Sequence, residues 1–231
     1  MHISPKALYD ILSEKGITSL HHANSVVTSC SFLRSAQLIS RGTLERDNGI
    51  QTSQYSDSDD KRYDVWFDVF TDSVDIHKRA KRINNYGPVL FDIDLKILKS
   101  KNTGKVWVSK LNPTKWAGKS YSERWFTGKD DVKEHFLRGR FDQMIIFRHC
   151  GGALDIKNHI NKIILDDPFI NLSDEKVDLY STAYGALKMA MTEGKIDAPI
   201  IKRSCHSECT CREYYDSNFH DFTMKMFFPE I

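Results

Sequence analysis

The chain has 231 residues, 40% of them hydrophobic and 28% charged, a balance that supports a sizeable core and excludes global disorder. No apolar run approaches the ~18 residues of a membrane helix, and five cysteines, three of them crowded near the end, exclude a secreted disulfide framework. The net charge is only +2, yet His77 to Arg140 holds 16 Lys and Arg against 6 Asp and Glu; this asymmetry reads either as a positive face for a polyanion or as a solvated surface paired with acids elsewhere.

Met1 to Asp10 lacks a basic stretch followed by an apolar run, so no secretion signal is expected and the expected location is cytoplasmic. Pro5 to Lys15 predicts a helix, with Ala7, Leu8, Ile11 and Leu12 as its apolar stripe and Gly16 as its stop. Ile17 to Leu20 predicts a short strand ending at His21-His22. Asn24 to Ala36 predicts a helix on Val26, Val27, Cys30 and Leu33. Asn48 to Arg62 is polar and reads as a surface loop of the kind that covers sites. Val65 to Phe70 and, more clearly, Val89 to Leu98 alternate as strands. Asn102-Thr103-Gly104 predicts a turn into a hairpin partner at Val106-Trp107-Val108. Further on, Asp131 to Leu137 predicts a helix, Met144 to Phe147 a buried strand and Leu179 to Met191 a helix. Ile156 to Leu165 mixes the two signals. One domain over 1–195, with a cysteine-containing appendage over 196–231 packed on it, is the simplest organisation.

Four constellations carry chemical groups. Leu20-His21-His22-Ala23-Asn24-Ser25, then Leu38-Ile39-Ser40-Arg41-Gly42, places donors around one concave point or serves structure alone. Asp92, Asp94 and Lys96, spaced by two on a strand, share one face. Such a set holds Mg²⁺ in nucleases of the PD-(D/E)xK kind, or it is the polar face of a half-exposed strand. Cys205-His206-x-x-Cys209-x-Cys211, with His220 beyond, reads as a weak zinc candidate or as reduced surface thiols. Trp107, Trp116, Tyr121, Trp125 and Phe126 lie among Lys105, Lys110, Lys115, Lys119 and Arg124, a mixture suited to single-stranded nucleic acid.

The segment Leu20 to Ser25 with Arg41 resembles the opening of the ADP-ribosyltransferase fold in its DarT-like branch, whose first strand carries a pattern near Leu-Tyr-His-aromatic-Thr-Ser. The resemblance runs roughly from Ile17 to Asp167. It continues through Val74-Asp75-Ile76-His77, through Asn85-Tyr86-Gly87-Pro88-Val89-Leu90-Phe91, and through Arg140-Phe141-Asp142-Gln143-Met144. It implies an α+β fold with a split β-sheet and flanking helices, and NAD⁺ as co-substrate. It also implies His22, Asn24 (where the family has Thr), Arg41 and His77 on the cofactor; Tyr63, Trp66 and Tyr86 read either as a stacking surface for nicotinamide or a base, or as core packing. The implied activity is transfer of ADP-ribose to a nucleic acid base, as a toxin of a toxin–antitoxin or phage-defence system with an antitoxin partner. The family glutamate falls at Gln143, with Asp142 as the neighbouring acid. An amide there cannot stabilise an oxocarbenium-like state or act as a base. The chain is therefore expected to be an inactivated Glu-to-Gln variant, or else a catalytically dead module that binds NAD⁺ or RNA. The metal-dependent nuclease is the other alternative.

Overall fold

The computed structural model describes residues 2–54, 56–79, 84–101, 103–172, 177–206, 208–218 and 222–228; Tyr55, Asn102 and His220 lie outside them. It is a mixed helix-and-sheet protein with open sheets, compatible with the α+β class.

The first helix, α1 (Pro5–Glu14), buries Leu8, Ile11 and Leu12 and stops before Gly16 at φ +70°. β1 (Ser19–Asn24) runs past the expected end, because all six of its residues pair antiparallel with β4 (Val89–Asp94), from Ser19 opposite Asp94 to Asn24 opposite Val89. His21, His22 and Asn24 therefore sit in the strand. α2 (Val26–Ser35) closes on Ala36 in the left-handed conformation. β2 (Gln37–Ile39) leads to α3 (Arg41–Arg46), whose cap is Ser40 Oγ accepting from Thr43 N at 3.2 Å. The second half of the polar segment is helical, as α4 (Asp57–Arg62). Of the strand expected over Val65 to Phe70, only its end survives in β3 (Val69–Thr71), and α5 (Ile76–Arg79) follows.

β4 is shorter than its hydrophobic pattern. The Asp94 carboxylate accepts from Lys96 N at 2.8 Å and starts a 3₁₀ helix, Leu95–Lys99. The expected hairpin does not form either. Both edges of β4 are occupied, by β1 and by β8 (Ile160–Asp167), so β5 (Lys105–Val108) pairs with β6 (Ile145–Arg148) instead. Pro113–Lys115 makes a second 3₁₀ turn before the short helices α6 (Tyr121–Arg124) and α7 (Lys129–His135). After β6 come β7 (Ala153–Asp155), β9 (Asn171–Leu172), β10 (Val177–Asp178), α8 (Leu179–Gly194), β11 (Ile200–Ser204), α9 (Thr210–Ser217) and α10 (Met224–Phe227).

One sheet has the order β1-β4-β8-β11 and another the order β3-β6-β5. They meet at an isolated bridge, where His21 N donates to Asp72 O at 2.9 Å and Asp72 N to His21 O at 2.8 Å. α2 and α8 pack together over the larger sheet, burying Phe32, Leu33, Phe91, Leu165 and Leu187. Each such side chain contributes about 1.5–3 kcal/mol on transfer from water. A smaller cluster of Val65, Trp116, Trp125, Met144 and Ile146 fills the second sheet. Trp116, Trp125 and Phe126 are thus core residues rather than a base-stacking surface, because each is fully enclosed. The described part of the C-terminal segment is tied into the fold: β11 runs parallel to β8, and α10 packs on α2 and α8.

Candidate functional site

A cleft of about 370 Å³ opens where the two sheets diverge. β1 supplies His22 and Asn24, and α3 contributes Arg41 from its N-terminal turn. The turn before β3 brings Trp66, and the loop before β4 brings Tyr86. Five residues singled out from the sequence therefore converge from four separate segments. Gly87 makes the convergence possible. At φ +118° a Cβ there would stand 2.2 Å from the Asn24 carbonyl, so only glycine lets the β4 lead-in lie against the end of β1. Asn84 braces that turn, donating from Nδ2 to Gly87 O at 2.7 Å and accepting from Tyr86 N at 3.0 Å.

His22 is half-buried, and desolvation holds its imidazole below the ordinary pKa, so it is neutral at pH 7. Its Nδ1 lies 2.8 Å from Phe70 O. A carbonyl only accepts, which fixes the proton on Nδ1 and leaves Nε2 as an acceptor, 3.4 Å from Asn24 Nδ2. Arg41 is held along one edge. Nε lies 2.6 Å from Asp57 Oδ1, and Nη2 donates to Asp57 Oδ2 at 2.8 Å and to Thr52 O at 3.0 Å. Both Nε and Nη1 are buried with no hydrogen-bond partner among the described residues, the Nε approach to Asp57 Oδ1 being an ion pair. Trp66 donates from Nε1 to Glu45 Oε2 at 2.8 Å and carries Arg41 and Lys61 over its ring, at 5.4 and 4.6 Å from the centroid. Two buried carboxyl groups line the cleft. Burial raises Asp60 to about 6 and Asp68 to about 7, the latter against the pull of Arg148.

Three expected residues lie outside the cleft lining. Tyr63 packs edge-on against Trp116, 5.6 Å between ring centroids, beneath the Arg124 guanidinium. His77 is buried beside Asp166 at 3.1 Å, in a cluster where Arg203 bridges Asp166 and Asp75. Gln143 is buried, and its amide serves the backbone: Oε1 accepts from Leu137 N at 2.7 Å and Nε2 donates to His135 O at 3.4 Å. The next residue, Met144, lines the cleft instead. Asp142 does not line the cleft and is paired with Lys115 at 2.8 Å.

The basic residues are largely paired. Lys110 meets Asp131 at 2.9 Å, Lys115 meets Asp142, and Lys119 meets Glu123 at 3.1 Å. Arg124 lies over Tyr63 and Trp116, and Lys105 is exposed at the start of β5. Surface pairs of this kind are worth about 0–1 kcal/mol. The nuclease-like set does not form a strand face: Lys96 lies on the 3₁₀ helix, Asp94 caps that helix, and Asp92 is engaged by Asn161 at 3.0 Å and Lys162 at 3.5 Å. Cys205, Cys209 and Cys211 are partly buried and form no disulfide among the described residues, and Asn84 N donates to Cys211 Sγ at 3.2 Å. Burial raises the Cys211 thiol to about 11. No group of three or more His, Cys, Asp or Glu among the described residues, these cysteines and His206 included, is arranged to hold a metal ion.

Reasoning from sequence missed Asp57, Asp60 and Asp68. The run Ser56-Asp57-Ser58-Asp59-Asp60 carried a signal, since acidic residues after a serine mark the first turn of a helix. No helix among the described residues is long and apolar enough to cross a membrane. Compared with protein-family models and with curated proteins, the chain matches none.

Proposed function

We propose that the cleft binds NAD⁺ and that the chain is an ADP-ribosyltransferase of the DarT-like kind, built on a split-sheet fold of that class and acting on a nucleic acid base. The observation that carries the reading is the convergence of His22, Asn24, Arg41, Trp66 and Tyr86 on one cleft at the split between two sheets. The chemistry of these groups suits a dinucleotide. A neutral His22 offers Nε2, held only by a long 3.4 Å contact to Asn24 Nδ2, as an acceptor that a ribose hydroxyl takes over when the ligand enters. The unpartnered Nη1 of Arg41 suits a pyrophosphate oxygen. Tyr86 stands at the cleft wall where an aromatic ring supports nicotinamide. The nucleic acid acceptor rests on the charge asymmetry of residues 77–140. A toxin role with an antitoxin partner in the cytoplasm follows from the resemblance alone.

One observation favours a second reading, a module that holds NAD⁺ without turnover. Breaking the nicotinamide–ribose bond builds positive charge on the ribose, which a carboxylate stabilises. Gln143 supplies none, and its amide is committed to Leu137 and His135. Labelled NAD⁺ incubated with the chain and with its Gln143→Glu variant, against separate DNA, RNA and protein pools, tests both readings. Label on DNA or RNA with either protein supports the transferase. NAD⁺ binding without label or nicotinamide release supports the module. Absence of NAD⁺ binding overturns both.

A further inference from the structure

Arg41 meets Asp57 side-on, with the Nε and Nη2 edge of the guanidinium on the two carboxylate oxygens at 2.6 and 2.8 Å. Both side chains are mostly buried, with 15% and 26% of their surface exposed, so the pair is shielded and its geometry holds. The carboxylate is itself fixed: Gln54 N donates to Asp57 Oδ2 at 3.1 Å. The segment on which it rides is latched to α2. Thr28 Oγ1 accepts from Thr52 N at 3.2 Å, and Thr52 Oγ1 donates to Ser25 Oγ at 2.7 Å. A guanidinium is planar and its donors keep a fixed fork. Two hydrogen bonds from Nη2 and the Nε ion pair therefore dictate where the other edge points; of the two nitrogens without a hydrogen bond among the described residues, Nε faces Asp57 and Nη1 lies on that other edge.

We infer that Asp57 is a positioning residue: it orients Arg41 so that the Nη1 edge meets a diphosphate-bearing ligand, the pyrophosphate of NAD⁺. The inference rests on the NAD⁺ reading and adds a residue and a ligand group to it. Asp57 also cancels much of the charge of Arg41. The site therefore selects a phosphate by direction rather than by net attraction, which suits a cleft also lined by Asp60 and Asp68.

Calorimetric titration with NAD⁺ and with phosphate-free nicotinamide riboside separates alignment from general damage. Asp57→Ala is expected to weaken NAD⁺ binding about tenfold or more while changing nicotinamide riboside binding less than about twofold, the size of effect that losing one charge-assisted contact produces. Asp57→Asn keeps an oxygen acceptor and the side-chain shape, so its loss is expected to be smaller, about threefold, and it is the decisive variant if Asp57→Ala does not fold. Equal weakening of both ligands would mark Asp57 as structural only and overturn the inference. Tighter NAD⁺ binding would make Asp57 a competitor of the ligand and overturn it as well. Should the unaltered chain bind nicotinamide riboside but not NAD⁺, the pyrophosphate assignment fails. Should it bind neither, the NAD⁺ reading itself fails.

Discussion

Replacing Gly87 by alanine tests how the cleft is assembled. The methyl group would stand 2.2 Å from the carbonyl carbon and oxygen of Asn24 and 2.5 Å from Ser25 N. All three are backbone atoms at the junction of β1 and α2, and none can turn aside as a side chain would. A φ of +118° adds strain for any residue with a Cβ. Backbone strain of this kind costs about 1–3 kcal/mol, and forced overpacking costs about 1–3 kcal/mol more. The expected loss is about 4 kcal/mol. For a chain of this size that lowers the melting temperature by roughly 8–16 °C. Thermal unfolding followed by circular dichroism reads the shift, and urea unfolding gives the free energy. A loss below about 1 kcal/mol would refute the reasoning, since the turn would then not be locked against Asn24.

Gln143→Glu is expected to destabilise the chain by about 1–3 kcal/mol, because a carboxylate cannot donate to His135 O; urea unfolding reads this, and equal stability with gained transfer activity would put position 143 at the chemistry. Asp60, raised to about 6, keeps a proton in the folded state that the unfolded chain releases near 3.8. Its contribution therefore makes stability fall as pH rises from about 4 to 6, by up to ~1.4 kcal/mol per unit. Asp60→Asn removes that slope, and urea midpoints compared at the two ends of the window check it; an unchanged slope contradicts the burial argument. Arg203→Met leaves Asp166 and Asp75 without their shared cation, which is expected to cost about 3–5 kcal/mol in urea unfolding. A neutral result would mean the buried carboxyl groups are satisfied without it.

Local pattern made some elements legible and long-range pairing hid others. Leu8, Ile11 and Leu12 announce α1, and Leu179 to Met191 announces most of α8, because a helix closes its own hydrogen bonds and needs only one apolar face. β1 was cut short because histidines and an asparagine are poor strand formers alone; pairing with the whole of β4 overrides that preference. The partner of β5 was invisible for the same reason. A strand beside a turn suggests a hairpin, but β4 had spent both edges on β1 and β8. In the cleft, His22, Arg41 and Tyr86 were legible from their place beside strand ends and turns. Tyr63 and His77 were drawn away by Trp116 and Asp166, partners 53 and 89 positions distant that no local pattern reports. Asp57 escaped because its role exists only once α4 folds beside α3.

The joint between the two sheets bears on how the molecule moves. A single pair of backbone bonds, His21 with Asp72, stitches β1 to the chain leaving β3, and the His22 ring adds one more tie to Phe70 O. Each such bond contributes about 1 kcal/mol net. The deeper tie is apolar: Val106, Val108, Ile145 and Phe147 share one buried core with Phe91, Ile163 and Leu165. The amides of His21 and Asp72 exchange their hydrogens through small local openings, while those in the middle of β4 wait for global unfolding. The imidazole that faces the cleft is thus also a tie between β1 and β3.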